Sequence, residues 1–283
     1  MSTPTRPVLR YHGGKWLLTP WVMQFFPPHS VYVEPFCGAA SVLMRKPRAA
    51  AELINDLDAR VVHVFRILRD QVAAAELRRR LRLTPFARAE FDAAYDQPTD
   101  DIDAARKTIV LAFMGHGSDT IGRGYRTGFR SKASDSRALP SNEWAGWPEQ
   151  VPLFVERLRG VTIEQRDARE IIARLDSPRT LFYLDPPYPF STRTSARTKH
   201  GYRHEMQDDE HRDLARLVRS VLGMVVISGY PCSLYDSELF PDWERHERPH
   251  LADGARIRTE VVWLSPSCSA ALATMRIQGR LLA

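Results

Sequence analysis

The sequence predicts an α/β fold built on a mostly parallel sheet, and three observations carry the prediction. Short apolar runs rich in branched and aromatic residues alternate with stretches of helical spacing, the pattern of strands joined through helices. The first two runs bracket a helix, as in a βαβ unit. A third run, Leu181, Phe182, Tyr183 and Leu184, is apolar throughout and stops at once in Asp185, Pro186, Pro187 and Tyr188. Proline lacks an N–H and fixes its own φ, and it drives the preceding residue out of the α region. The strand therefore cannot continue and no helix can begin, which leaves a stiff corner presenting a carboxylate, carbonyl oxygens and an aromatic ring.

Taken in order, VYVEPFCGAASVLM (31–44) reads as a strand, a turn of small residues and the start of a helix. AELINDLD (51–58) is a short strand ending in acids. One helix over 59–83 follows from the spacing of Val62, Phe65, Leu68, Val72 and Leu77. Helices are expected at 85–96 and 101–115, whereas 115–150 is rich in Gly, Ser and Arg, shows no period and reads as a long loop, a feature usually functional or flexible in compact domains. Regular patterns resume with helix 149–159, strand GVTIEQ, helix 168–175, the strand before Asp185, helix 208–222, strand GMVVISGY and a last strand, RTEVVWLS. No internal repeat is present.

With 283 residues the chain is long enough to bury a full core, as one domain or one domain with a large insertion. The formal charge of +6 and pI near 9.4 come from arginine more than lysine and lean towards a phosphate-bearing partner. Cys37, Cys232 and Cys268 form no C-x-x-C pair, so neither a disulfide framework nor a zinc knuckle is indicated. The first residues lack an apolar signal core and no stretch is long enough to span a membrane, so a cytoplasmic location is expected. His200, His204 and His211 form no H-E-x-x-H, and Asp208, Asp209 and Glu210 read as first-turn acids of a helix, so no metal is expected. Trp144 and Trp147 are assigned to packing, and Cys37 to filling the turn after the first strand.

Ligands of open α/β sheets bind beyond the carboxyl ends of the strands. The residues collected there are Glu34, Pro35, Phe36, Gly38 and Ala40 after the first strand, Asp56 after the second, Asp167 after GVTIEQ, and the Asp185 corner. Small residues let a backbone approach a ligand, and the helix that follows offers free N–H groups. Asp56 lies 18 residues beyond Gly38, close to the spacing of about 20 at which an acid reaches ribose hydroxyls. The dinucleotide pattern G-x-G-x-x-G is absent. Near the N-terminus, RYHGGKW (10–16) sets Gly13 and Gly14 between Tyr11 and Lys15, a plain turn or a cover for a ligand.

Together and in this order, these motifs resemble the Dam-type DNA adenine methyltransferases, in the group whose cofactor motifs precede the target-recognition region and whose catalytic motif follows it. RYHGGK is similar to the family's K-W-x-G-G-K element, VEPFCGAASV to its cofactor loop, NDLD to its ribose-binding turn through Asp56, and RTEVVW to its final strand; DPPY matches the catalytic motif unchanged. Asp167 stands where the family has an acid near the cofactor adenine. Tyr11 replaces a tryptophan, and Ala40 replaces the second glycine of the cofactor loop, a change the backbone tolerates if φ there is negative. The resemblance implies a Rossmann-like S-adenosylmethionine-dependent sheet formed by 1–64 and 161–283, with a mainly helical target-recognition region inserted at 65–160. It implies cofactor contacts from Tyr11, Gly13, Gly14, Lys15, Glu34, Pro35, Phe36, Gly38, Ala40, Asp56, Asp167 and Asp185, and catalysis at Asp185, Pro186, Pro187 and Tyr188.

The expected reaction is direct methyl transfer to N6 of adenine. Asp185 and the Pro186 carbonyl would accept the amine hydrogens, Tyr188 would stack on the base, and the base would first leave the duplex. Two basic runs suit double-stranded DNA: Arg123, Tyr125, Arg126, Arg130, Lys132 and Arg137, with Phe129 interleaved against Asp119 and Asp135; and Arg193, Arg197, Lys199 and Arg203, with no acid from Pro186 to Arg203. Two rivals stand beside this reading: another amino-methyltransferase, acting on cytosine N4 in DNA or adenine in RNA, and a non-catalytic nucleic-acid-binding module. No residue pattern names a restriction enzyme as a companion.

Overall fold

The computed structural model describes residues 3–117, 120–121, 126–131, 139–193, 202–252 and 256–281. Among the described residues, seven strands form one sheet: β1 (Val31–Glu34), β2 (Ala51–Asn55), β3 (Val161–Glu164), β4 (Thr180–Leu184), β5 (Met224–Gly229), β6 (Glu244–Ala252) and β7 (Arg256–Leu264). Their order is β3-β2-β1-β4-β5-β7-β6. β1 to β5 are parallel, and β7 runs antiparallel to both β5 and β6. All residues of β4 and β5 are buried, as expected of parallel strands covered on both faces. The chain moves outward from β1 through β2 to β3, then returns to lay β4 on the other side of β1. That reversal opens a crevice at the carboxyl ends of β1 and β4.

The helices are α1 (Thr19–Val22), α2 (Ser41–Arg45), α3 (Ala59–Arg69), α4 (Gln71–Leu83), α5 (Arg88–Ala93), α6 (Asp101–Met114), α7 (Pro140–Gly146), α8 (Val151–Leu158), α9 (Ala168–Arg174), α10 (Asp208–Ser220) and α11 (Pro266–Leu281). The single helix expected over 59–83 is two. Asp70 is extended, and its carboxylate accepts from the N–H groups of Val72 and Ala73, starting α4 afresh. The break resets the helical phase. Val62, Phe65, Leu68 and Leu77 are buried as their spacing requires, but Val72 is 81% exposed.

The stretch expected as a loop at 115–150 contains α7 and a 3-10 turn, Pro148–Gln150. Its order comes from tertiary packing: Trp144 and Trp147 are buried, with their Nε1 groups donating to the carbonyls of Thr84 (2.7 Å) and Val8 (3.1 Å). β6 and α11 add elements that the sequence pattern did not suggest. β6 is a charged edge strand containing Pro249, a composition that discourages further pairing.

The helices between β2 and β3 share one core with the sheet. Arg157 of α8 is buried and grips Glu52 of β2 through two bonds of 2.6 and 3.0 Å, while its Nε donates to the Leu43 carbonyl. Lys46 completes that ion pair at 2.7 Å. Among the described residues, no helix is long and apolar enough to cross a membrane.

Candidate active site

The turn after β1 is the first wall of the crevice. Gly38 has φ +46°, which favours glycine, and a Cβ there would lie 2.8 Å from the Tyr11 ring, so the space excludes a side chain. Its N–H donates to Asp56 Oδ2 at 2.8 Å, and the Asp58 N–H donates to Oδ1 at 2.9 Å. The Asp56 carboxylate is thereby fixed, with one acceptor position on each oxygen still open. Burial raises its pKa from the usual carboxylate value. Asn55 braces this arrangement: its amide donates to the carbonyls of Pro35 and Arg166, each at 2.9 Å, and accepts from the Arg166 N–H at 2.8 Å. Three strand ends are thus tied by one buried side chain that sequence reasoning passed over; a polar residue closing an apolar strand was its only signal.

Ala40 does not meet the condition under which the backbone tolerates it without strain. It has φ +48° and is the one non-glycine residue with positive φ among the described residues. An L-residue pays for this conformation in steric energy, so Ala40→Gly is expected to raise stability by about 1 kcal/mol. A higher midpoint in thermal or chemical unfolding checks this; an unchanged or lower midpoint contradicts it.

Glu34 lies beneath the N-terminus of α2. Its Oε2 accepts from the Leu43 N–H and the Tyr32 hydroxyl, both at 3.1 Å. Burial pushes its pKa up to about 8. The folded protein therefore keeps a proton that the unfolded chain releases above the ordinary value of 4.5, so this group favours folding less as pH rises from about 4.5 through 8. Glu34→Gln keeps an acceptor but cannot ionise. The stability of the variant relative to the parent is expected to increase between pH 5 and pH 8.5, measured by denaturant unfolding. A constant difference across that range contradicts the shift.

The second wall is the corner after β4. Asp185 Oδ1 accepts from Ser228 Oγ at 2.9 Å, and Ser228 in turn meets the Tyr183 hydroxyl at 3.0 Å. Asp185 Oδ2 lies 2.8 Å from Lys15 Nζ. The ammonium is buried and also donates to the Gly13 carbonyl at 2.7 Å, with Glu260 Oε1 at 3.5 Å. Burial opposes its charge, but the Asp185 and Glu260 carboxylates prevail and hold its pKa well above the usual value. Glu260, buried in β7, accepts from the Tyr188 hydroxyl at 2.6 Å. Burial raises its pKa to about 7 despite the pull of Lys15. Ser228 and Glu260 were both missed; an acid immediately before the apolar run Val261–Leu264 was the available signal for Glu260.

Between the walls lies a cavity enclosing about 1060 Å³ of space, its open mouth included. Tyr11, Gly13, Gly14, Lys15, Glu34, Pro35, Phe36, Gly38, Asp56, Asp167, Asp185 and Pro187 all line it. Ala40 is buried behind the turn, and Tyr188 behind the corner, against Lys15 and the ring of Tyr230 at 4.7 Å. Tyr202, His204, Glu205 and Met206 also line it. The Tyr202 hydroxyl comes so close to Gly13 that a Cβ there would meet it at 2.7 Å. The Asp167 carboxylate caps α9 and is held by Arg169, which lowers its pKa. Burial pushes the Cys37 thiol well above its usual value, as suits a filler rather than a nucleophile.

Arg193, expected at phosphate, is instead folded into the corner. It pairs with Glu205 at 2.6 Å and donates to the Tyr188 carbonyl at 2.7 Å. Arg126 is exposed with its guanidinium 4.9 Å from the Tyr95 ring, and Arg130 pairs with Glu143 at 2.9 Å. Arg123, Tyr125, Lys132, Arg137, Arg197, Lys199 and His200 lie outside the described residues. His211 is buried against the Tyr235 hydroxyl. Among the described residues, no group of three or more His, Cys, Asp or Glu side chains is arranged to hold a metal ion.

Residues 11–253 match the family model described as D12 class N6 adenine-specific DNA methyltransferase. No curated protein matches the chain.

Proposed function

This chain belongs to the D12 class N6 adenine-specific DNA methyltransferase family, and we propose that it works on an adenine turned out of duplex DNA, with S-adenosylmethionine in the cavity between β1 and β4. The observation that carries the reading is Asp185, held by Ser228 and Lys15 on the wall of the same cavity that Asp56 lines. The residues fit the cofactor. Asp56 keeps two acceptor positions for a vicinal diol, Phe36, Leu57 and Ala168 give apolar wall for a base, and Gly38 leaves room at the turn. When bound, S-adenosylmethionine supplies an electrophilic methyl group on a sulfonium.

The chain's own residues prepare the amine. The lone pair of an adenine N6 is delocalised into the ring, so the site must hold both hydrogens and favour positive charge on nitrogen. Asp185 and the Pro186 carbonyl are the acceptors for those hydrogens, and both stabilise that charge as it grows. Lys15 alone would neutralise Asp185. Glu260 balances Lys15, so the cluster retains negative charge for the amine when both carboxyls are ionised. Tyr188 is fixed through its hydroxyl on Glu260 and its carbonyl under Arg193 and forms one side of the corner. Turning the base out costs a few kcal/mol, which contacts from the helical segment 65–160 offset. We assign target recognition to that segment, with Arg126 on Tyr95 as one contact.

The test is transfer of labelled methyl from S-adenosylmethionine to unmethylated duplex DNA, followed by digestion and identification of the nucleoside by mass spectrometry. Label on N6 of adenine supports the reading. Label on cytosine, or label in RNA alone, overturns it.

A further inference from the structure

Building on that reading, we infer that the free end of the β6–β7 ribbon is a second DNA-binding element, on which Arg248 seats a phosphate of the duplex beside the target base. β5 pairs with β7 only over Val261–Leu264, with Gly229, its last residue, opposite Val261. The ribbon does not stop there. Residues 256–260 of β7 and their partners 248–252 of β6 continue beyond the end of β5, on the side of the sheet where the parallel strands end and the cavity opens.

The register decides which side chains face the site. Glu260 is opposite Arg248, and Arg258 is opposite His250. Directly opposed residues share a face of a ribbon, and alternate residues of a strand share it too. Arg248, His250 and Arg258 therefore stand on the face that carries Glu260, whose carboxylate holds Tyr188. Tyr230 joins the two regions: its ring meets Tyr188 edge-on at 4.7 Å, lies 6.5 Å from His250 at an interplanar angle of 24°, and carries the Arg258 guanidinium at 5.0 Å. A continuous path of rings and cations leads from the corner onto the ribbon.

The charge of Arg248 is not consumed within the fold. Arg245, on the opposite face, is paired with Asp236 and Glu247. Arg248 is exposed and has no partner among the described residues. A two-stranded antiparallel ribbon is narrow enough to lie along a duplex groove, and a lone exposed arginine next to a site that receives a nucleotide matches the phosphate charge.

The test compares Arg248→Gln with Arg179→Gln, an equal loss of charge at an exposed position just before β4, at the amino end of the parallel strands, away from the cavity. Duplex affinity is measured over a salt series. Arg248→Gln is expected to weaken binding several-fold and to reduce the slope of log K against log salt by about 0.9, the value for one phosphate contact, with unfolding midpoint and S-adenosylmethionine affinity unchanged. Arg179→Gln is expected to leave slope and affinity as in the parent. If the parent methylates duplex adenine and the two variants are indistinguishable, the ribbon is not a DNA contact and the site reading stands. If the parent neither binds nor methylates duplex DNA, the site reading fails and takes this inference with it.

Discussion

Asp185→Asn is expected to slow methyl transfer by roughly 10²–10³-fold, the magnitude found when one preorganised electrostatic partner of a reacting group is removed. The replacement is nearly isosteric. Its carbonyl can take the place of Oδ2 against Lys15 while its amide donates to Ser228 Oγ, whose hydroxyl can turn to Tyr183, and Lys15 keeps Glu260 and the Gly13 carbonyl, so the fold is expected to persist. What disappears is the negative charge facing the amine. The loss therefore belongs in the single-turnover rate at saturating DNA, with the affinity for DNA close to that of the parent. A rate within a few-fold of the parent would remove Asp185 from the chemistry and leave the corner a structural turn.

Lys15→Met has the larger expected effect on stability. The substitution keeps an apolar stem of similar length but strips Asp185 and Glu260 of their shared cation, in a region where Glu260 is only 1% exposed. Removing one partner of a buried ion pair costs about 3–5 kcal/mol, because the remaining charge is left uncompensated. At a few degrees per kcal/mol for a chain of this size, the melting temperature is expected to fall by roughly 10 °C. The effect should be greatest at alkaline pH, where Glu260, raised to about 7 by burial, gives up its proton and is left without its cation, and smaller in acid, where Glu260 stays protonated. A melting temperature unchanged between pH 6 and pH 9 would show that Lys15 is not the counter-ion that the geometry implies. Activity should fall as well, since Asp185 and Tyr188 both depend on this cluster for their positions.

Much of the site was legible in the sequence because its parts are short and local. A strand that must end at Asp185-Pro186, a turn that must contain glycine at position 38, and an acid at the next strand end are dictated by backbone sterics and spacing along a few residues. Their order along the chain carried the family resemblance, and the family match covers the same residues. Less was legible where neighbours in space, not in sequence, set the outcome. Val72 looked like a core position because helical periodicity was carried through Asp70, where capping restarts the helix. α7 had too few residues for a period and is ordered by two indoles that reach distant carbonyls. The sequence left the φ of Ala40 open, and only the closing of the turn onto α2 makes it positive.

The sequence by itself determined the α/β alternation, the ends of β1, β2 and β4, and hence where a ligand crevice must open. It also supplied the chemical types gathered there: small residues, acids, and one proline-locked corner. The tertiary structure decided how those groups act on one another. Lys15, 170 residues before Asp185, lies 2.8 Å from it; Glu260 reaches Tyr188 from an antiparallel strand; and Arg193 supports the corner from within the fold. Periodicity and spacing report only on residues a few positions apart. The charge of a buried cluster depends on which distant groups the sheet order brings together, and that order is fixed by packing of the whole chain.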